Sequence, residues 1–399
     1  MTAASAPRPL DVRSLPGTRE TIAYHEGGLF PVLAVSADGA VVAILRGGAG
    51  HLGTAGRIEA IRSLDRGQTW SPPIVIADSD RDDRNPALGV TPCGTLVLAY
   101  HRQGSYDDSG AFRPVPIGGP TPRPIEIVVT RSVDGGLTWE EPVPLGVESL
   151  RAASPFGKIV SLPGDTLLMP IYIHDHATGG LSADELRRLG PARYGSYVVR
   201  SDDDGLTWTD PALIAPAMDE CGLLILPEGD VLALLRASDP EAALWGARSG
   251  DGGRTWSSPV RVSGSRQHPA DLSLLAGGEV LLCYGNRTPP FRIEGRLSRD
   301  GGRTWLDRIL AFSGPLYGTA VNAGRRTDLG YPSTVVVPNG PTRRGVTLYY
   351  YNPSIPRAGD WRAQGSSGPF YQVTGYRAVA VTWDETELLA AIGRETDTG

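Results

Sequence analysis

The sequence predicts an all-β fold, a six-bladed β-propeller of four-stranded antiparallel blades. Two interleaved repeats predict it, supported by a composition of 51 glycines and 34 prolines in 399 residues. One repeat is the octapeptide Ser-x-Asp-x-Gly-x-Thr-Trp. It reads "SLDRGQTW" from Ser63, "SVDGGLTW" from Ser132, "SDDDGLTW" from Ser201, "SGDGGRTW" from Ser249 and "SRDGGRTW" from Ser298. The other is an apolar run, a tight turn and a second apolar run, which reads as a hairpin.

Blade one takes "FPVLAVSADGAVVAILR", blade two "NPALGVTPCGTLVLAYHR" and blade three "FGKIVSLPGDTLLMPIYIH" as its A and B strands. Blade four takes "CGLLILPEGDVLALLR", blade five "HPADLSLLAGGEVLLCYGNR" and blade six "YPSTVVVPNGPTRRGVTLYYY". Each turn holds Gly, Asp or Asn, as a tight reversal requires. An alternating C strand such as "PIEIVVTRSVDGG" then runs into the octapeptide, which makes the C–D turn. Asp65, Asp134, Asp203, Asp251 and Asp300 read as turn residues, since five equivalent copies would otherwise make five identical sites. Blade six lacks the octapeptide and ends in "YRAVAVTW". The early segment "TIAYH" is placed to supply its outer strand and close the ring. The expected organisation is a flexible tail over 1–15 and a single propeller domain over 16–393.

The net charge of −6 gives no reason to expect a nucleic-acid partner. Lys158 is the only lysine, which reads first as the mark of a GC-rich genome. Cys93, Cys221 and Cys283 are too few for a disulfide framework or a zinc site, and Cys93 and Cys283 read as buried thiols. The opening "MTAASAPRPLDVRS" has no apolar core of a signal peptide, and no apolar run is long enough to span a membrane. These readings lead to the expectation of a soluble, cytoplasmic protein without a membrane partner, and no cofactor is expected.

Strand direction alternates within a blade, so the octapeptides and A–B turns share the bottom face. The top is built from the starts of A strands and the ends of B strands. It carries His25 and Glu26, Arg46 and His51, Arg84 and Asn85, His101 and Arg102. Further round come Tyr172, His174, Asp175 and His176, then Asp219, Glu220 and Arg236, then His268 and Arg287, and last Asp328 and Tyr331. All six histidines fall on this face, which points to a shared pocket at the mouth. A carboxylate beside a tyrosine can serve as base for the phenol, and several arginines suit an anionic ligand. For Arg46 and Arg102 an ion pair is an equal alternative. A metal site among His174, Asp175 and His176 lacks a further identifiable ligand.

From about residue 20 to 385 the chain resembles the sialidase (neuraminidase) superfamily in its Asp-box or BNR-repeat branch. The octapeptides carry the fold resemblance, and they are much less specific for activity. The resemblance implies a tyrosine nucleophile, Tyr331 in "GYPS", helped by Glu220 in "DECGLL". It implies carboxylate-binding arginines at Arg236 and at Arg287, with Arg292 as the rival of the latter. Two positions depart from the pattern, both in blade one. Leu29 in "GLFP" stands where the family has its first arginine, and the loop "RGGAGHLGTAGR" holds no acid/base aspartate. His51 is the titratable group left in that loop, and Arg46 or Arg57 could replace the lost arginine.

Three functions compete. The first is an exo-acting sialidase-type glycoside hydrolase on an anionic terminal sugar, with Tyr331, Glu220 and His51 catalytic. Its substrate contacts would come from Arg236, Arg287, Arg46, Arg84, His101, His268 and Asp328. The second is a polysaccharide lyase or atypical glycosidase on a uronate-containing glycan, working through His, Tyr and Arg. The third is a non-catalytic carbohydrate-binding propeller. Specificity is expected from long loops near 103–124, 175–193 and 352–369.

Overall fold

The computed structural model describes residues 9–104, 106, 110, 125–147, 150, 153–173, 194–237, 242–316, 320, 321, 326, 327, 329–353 and 375–393. They form six antiparallel blades arranged as a six-bladed β-propeller. Blade one runs Leu29–Val35, Val41–Gly47, Arg57–Ser63 and Ile74–Ala77. Blade two runs Asp82–Val90, Leu96–Gln103, Glu126–Ser132 and Val143–Pro144. Blade four runs Met218–Ile225, Val231–Ala237, Leu244–Ser249 and Val260–Arg261. Blade five follows with Gln267–Leu274, Val280–Asn286, Arg292–Ser298 and Leu310–Ala311.

Blade three departs from the expected hairpin because its inner strand is broken. Ser154–Pro155 and Val160–Ser161 pair with Leu167–Ile173 in their own blade. Between them, Gly157–Lys158 swings across to pair in parallel with Ala87 and Leu88 of blade two. Gly157 makes the swing in the left-handed region (φ 80), where a side chain would be strained. Gly195–Ser201 and Thr209–Pro216 complete the blade.

Blade six is closed as the sequence predicts. Leu329–Asn339, Thr342–Tyr351 and Arg377–Asp384 come from the end of the chain. Arg19–His25 from its beginning pairs antiparallel with Arg377–Asp384 as the outer strand. Part of the stretch expected as a tail, residues 9–15, lies among the described residues. Leu10–Asp11 pairs in parallel with Leu310–Ala311 of blade five, and Val12 is buried. Cys93 is exposed, contrary to its reading as a buried thiol, because it lies in the A–B turn of blade two.

The core is not one mass but a set of layers, one at each seam between blades. Val32, Ile44 and Ala60 of blade one pack with Leu88, Leu98 and Tyr100 of blade two. Leu226, Leu232 and Leu234 of blade four meet Leu272, Leu282 and Tyr284 of blade five. Each fully buried side chain of this size contributes about 1.5–3 kcal/mol.

The octapeptides are seam fasteners. In the blade-two copy Asp134 Oδ1 accepts from the backbone N–H of Leu137 (3.0 Å) and Thr138 (2.9 Å), while Ser132 Oγ accepts from Gly136 N at 2.8 Å. The turn so formed seats its glycine on the B strand of the preceding blade. A Cβ at Gly302 would lie 2.7 Å from Leu232, and one at Gly67 would lie 2.6 Å from Val346. Arginines complete the joint from the other side. Arg131 Nη1 donates to Asp204 O (3.1 Å), Arg200 Nη1 to Gly252 O, and Arg248 Nη2 to Gly301 O. Each of the three therefore braces the box of the next blade, so these arginines have a structural use beyond genome composition.

Candidate functional site

Besides Ser154-Pro155 in the broken inner strand of blade three, four A strands enter the ring through a residue followed by proline: Phe30-Pro31, Asn85-Pro86, His268-Pro269 and Tyr331-Pro332. Proline has no N–H to give the B strand, so the ladder breaks there. Register shifts occur at Leu29/Val32, Arg84/Ala87, Gln267/Ala270 and Gly330/Ser333. Such bulges re-aim side chains. Phe30 (φ 54), Asn85 (φ 52) and Tyr331 (φ 45) are held in the left-handed region, at a cost of about 1–3 kcal/mol each.

The result is an aromatic floor at the mouth. Phe30 packs edge-on to Tyr331 at 4.9 Å between centroids, and Phe156 does so at 5.5 Å. Tyr350 stacks against Tyr331 at 5.8 Å. All four side chains are buried.

On this floor sits a polar triad. The Tyr331 hydroxyl donates to Glu220 Oε1 in a very short hydrogen bond. Arg236 Nη1 donates to the other oxygen, Oε2, at 2.7 Å. Burial raises the Glu220 carboxyl, but the charge and hydrogen bond of Arg236 outweigh it, aided by the Tyr331 hydroxyl and Arg287. The carboxyl stays below its ordinary value, so Glu220 is an anion at neutral pH. Burial and the Glu220 charge push the Tyr331 phenol well above its ordinary value, so it stays protonated until a partner takes the proton.

Unused cationic donors surround the triad. The Arg287 guanidinium lies 5.4 Å from the centroid of the Tyr331 ring, and its Nε and Nη2 have no hydrogen-bond partner among the described residues. Arg236 Nε is likewise unpaired among them. Arg84, from blade two, lies 5.5 Å from the centroid of Phe30. Its Nε donates to Asn85 Oδ1 (3.3 Å), and its Nη1 is 3.6 Å from Asp82 Oδ2, beyond hydrogen-bonding distance. Buried donors left unpaired are costly, and an entering anion would satisfy them.

His51 meets Phe30 edge-on at 5.1 Å, one ring away from Tyr331. His268 is buried beside Arg236, Arg287 and Arg266. Burial and those charges hold it well below its ordinary value, so it is neutral. His101 is neutral for the same reason, burial first and then Arg84 and Arg46, and its Nδ1 is 2.7 Å from Ser154 Oγ. His25 is exposed on the outermost strand of blade six, away from the axis.

Arg46 does not present itself to a ligand. It is wholly buried, pairs with Asp82 (Nη2 to Oδ1, 2.5 Å) and donates to the carbonyls of Ala49, Gly50 and Gly53. It organises the loop that carries His51. Neither proposed replacement for the lost arginine reaches the mouth: besides Arg46, Arg57 is tied to Glu59 at 2.6 Å. Arg292 is held by Glu294 at 2.6 Å, which leaves Arg287 as the arginine beside Tyr331. Arg102 lies 3.8 Å from both Asp83 and Glu126, as an ion pair. Asp328, His174, Asp175 and His176, and nearly all of the three long loops, lie outside the described residues. Among the described residues no cluster of three or more His, Cys, Asp or Glu could hold a metal, and no helix is long and apolar enough to cross a membrane.

Phe30, Phe156 and Tyr350 are not among the site residues that the sequence suggests. A signal for Phe30 was available, since it occupies the same pre-proline position as Tyr331.

Comparison with known proteins agrees with this architecture. The family profile described as BNR repeat-like domain matches residues 60–343. A protein of unknown function from Dyadobacter fermentans superposes with a TM-score of 0.67 at 22% identity, covering 93% of this chain and 100% of that one. The intramolecular trans-sialidase from Ruminococcus gnavus, solved with oseltamivir carboxylate, superposes with a TM-score of 0.60 at 13% identity, covering 96% and 99%. Trypanosoma rangeli sialidase, in a covalent intermediate with 2,3-difluorosialic acid, gives 0.61 at 14%, covering 98% and 62%. Comparison with curated proteins finds no match. At these identities the structural likeness establishes the sialidase-like fold alone.

Proposed function

Because the chain belongs to the BNR repeat-like domain family, we propose that it is an exo-acting glycoside hydrolase of sialidase type on a terminal sugar bearing an anionic group. The observation that carries this reading is the Tyr331–Glu220–Arg236 triad, with the unpaired donors of Arg287 beside it. Arg236, Arg287 and Arg84 would receive the anionic group. The Tyr331 oxygen would attack the anomeric carbon while Glu220 takes the phenolic proton. His51, as imidazolium, would protonate the departing glycosidic oxygen. Its neutral form would then take a proton from the water that releases the sugar from Tyr331.

A lyase reading is favoured by one observation only, the lack of a carboxylate in the 46–57 loop that carries His51. Product mass separates the readings. Incubation with mixed sialylated and uronate-capped oligosaccharides should release a terminal sugar with the mass of one water added. An unsaturated product without added water would mean elimination, and no product would favour a binding module.

A further inference from the structure

We infer that the axial pair Lys158–Asp271 is a positioning device for Tyr331, an inference that rests on the reading of Tyr331 as the nucleophile. Lys158 is the only lysine of the chain, and it sits in the broken inner strand of blade three, one layer beneath the mouth. Its ammonium meets Asp271 Oδ1 at 2.9 Å and Oδ2 at 3.1 Å, both in blade five. It also donates to the Leu272 carbonyl (2.9 Å) and to the Thr334 carbonyl (2.6 Å) of blade six.

These contacts converge on the strand just after Tyr331. Thr334 N donates to Asp271 Oδ2 at 2.8 Å, and Thr334 O also accepts from Ser273 Oγ at 2.8 Å. Ser333 Oγ accepts from Leu33 N at 3.0 Å, which ties in the strand just after Phe30. The clamp therefore fixes the two segments whose preceding residues, Phe30 and Tyr331, are the bulky left-handed ones that lean on each other. Such conformations persist only where the surroundings over-determine them. A buried ion pair is in itself a weak source of stability, and an apolar pair of similar volume often serves as well. Fastening the pivot of Tyr331 gives this pair a use that stability alone does not.

The test is the double variant K158M/D271N, which removes both charges together. Two readouts are taken on wild type and variant. One is the ¹³Cζ-tyrosine resonance of Tyr331, assigned with Tyr331→Phe, which senses its hydrogen bond to Glu220 without any turnover. The other is kcat and KM on a sialylated oligosaccharide. A positioning role predicts a folded variant with a moved Tyr331 resonance, and kcat lower on the order of 10- to 100-fold at nearly unchanged KM, because the arginines stay in place. A folded variant with the wild-type resonance and kcat overturns the inference. If wild type turns nothing over while the resonance still moves, the hydrolase reading fails and the positioning role stands. Should the double variant not fold, Ser273→Ala removes one hydrogen bond from Thr334 O and is read by the same two measurements.

Discussion

Tyr331 and Glu220 stand 111 positions apart in the chain, yet the phenol of one donates directly to the carboxylate of the other. Blade six supplies the donor and blade four the acceptor, and the hydrogen bond closes across the mouth. Tyr331→Phe should therefore abolish turnover, by about 10³-fold or more, with a far-UV spectrum like that of wild type. Glu220→Gln should do the same. Full activity in either variant would rule out the displacement mechanism.

Arg287 makes no side-chain hydrogen bond within the described protein, so its loss leaves no buried acceptor without a partner. In Arg287→Met, KM for an acidic substrate should rise by about 10- to 100-fold, the worth of one charged hydrogen bond, with little change in melting temperature. A substrate whose acidic group is esterified should be insensitive to the substitution. Steady-state kinetics on the matched pair decide the point.

Glu220 is held below its ordinary value of 4.5, by Arg236 above all, against the pull of burial. A depressed carboxylate stabilises the fold above the ordinary value, and that stability is lost as pH falls through the lower folded value. The acid limb of kcat/KM should thus lie below pH 4.5 in wild type. Arg236→Met, which removes the lowering charge, should move that limb upward. A pH profile unmoved by the substitution would argue against Glu220 as the base.

The box aspartates give a separate acid dependence. Hydrogen bonds from Thr138, Ser132 and the backbone outweigh burial and bring Asp134 down from 3.8 to about 2, and Asp300 is likewise lowered to about 2. Their stabilising hydrogen bonds are complete above pH 3.8 and are lost as pH falls towards about 2. Melting temperature should drop across that window, less steeply in an Asp134→Asn/Asp300→Asn double variant.

Gly302 has φ 84, and a Cβ added there would lie 2.7 Å from Leu232 of the preceding blade. Gly302→Ala should destabilise the protein by ~2–4 kcal/mol, from backbone strain and overpacking together. Because the box faces away from the mouth, KM should not change. Denaturant melts beside kinetics would separate the two effects.

The ring and its closing strand were legible because octapeptide and hairpin are local patterns, each complete within a few residues. Tyr331, Glu220, Arg236 and Arg287 were legible on two grounds together, since topology sends the starts of A strands and the ends of B strands to one face and the family resemblance singles out these four among the residues there. What stayed hidden depends on neighbours distant in sequence. Arg46 looks like a ligand-binding arginine until Asp82 arrives from the next blade to bury it. The swing of Gly157–Lys158 onto blade two has no periodicity to betray it. Lys158 itself reads as a compositional accident until Asp271 and Thr334 are seen around it.

Among the described residues the outer strand of blade six is the first long strand, and its partner, Arg377–Asp384, is the last strand. During synthesis Arg19–His25 must wait for this partner until more than 350 further residues have been made, since Arg377–Asp384 follows it at that distance in the chain. The mouth draws Phe30, Glu220, Arg236, Arg287 and Tyr331 from blades at both ends of the message. A nascent chain that stops short of Tyr331 lacks the triad, and the blade that carries Tyr331 is completed only when Arg19–His25 meets Arg377–Asp384, so on the proposed reading chemical competence waits for the ring to shut.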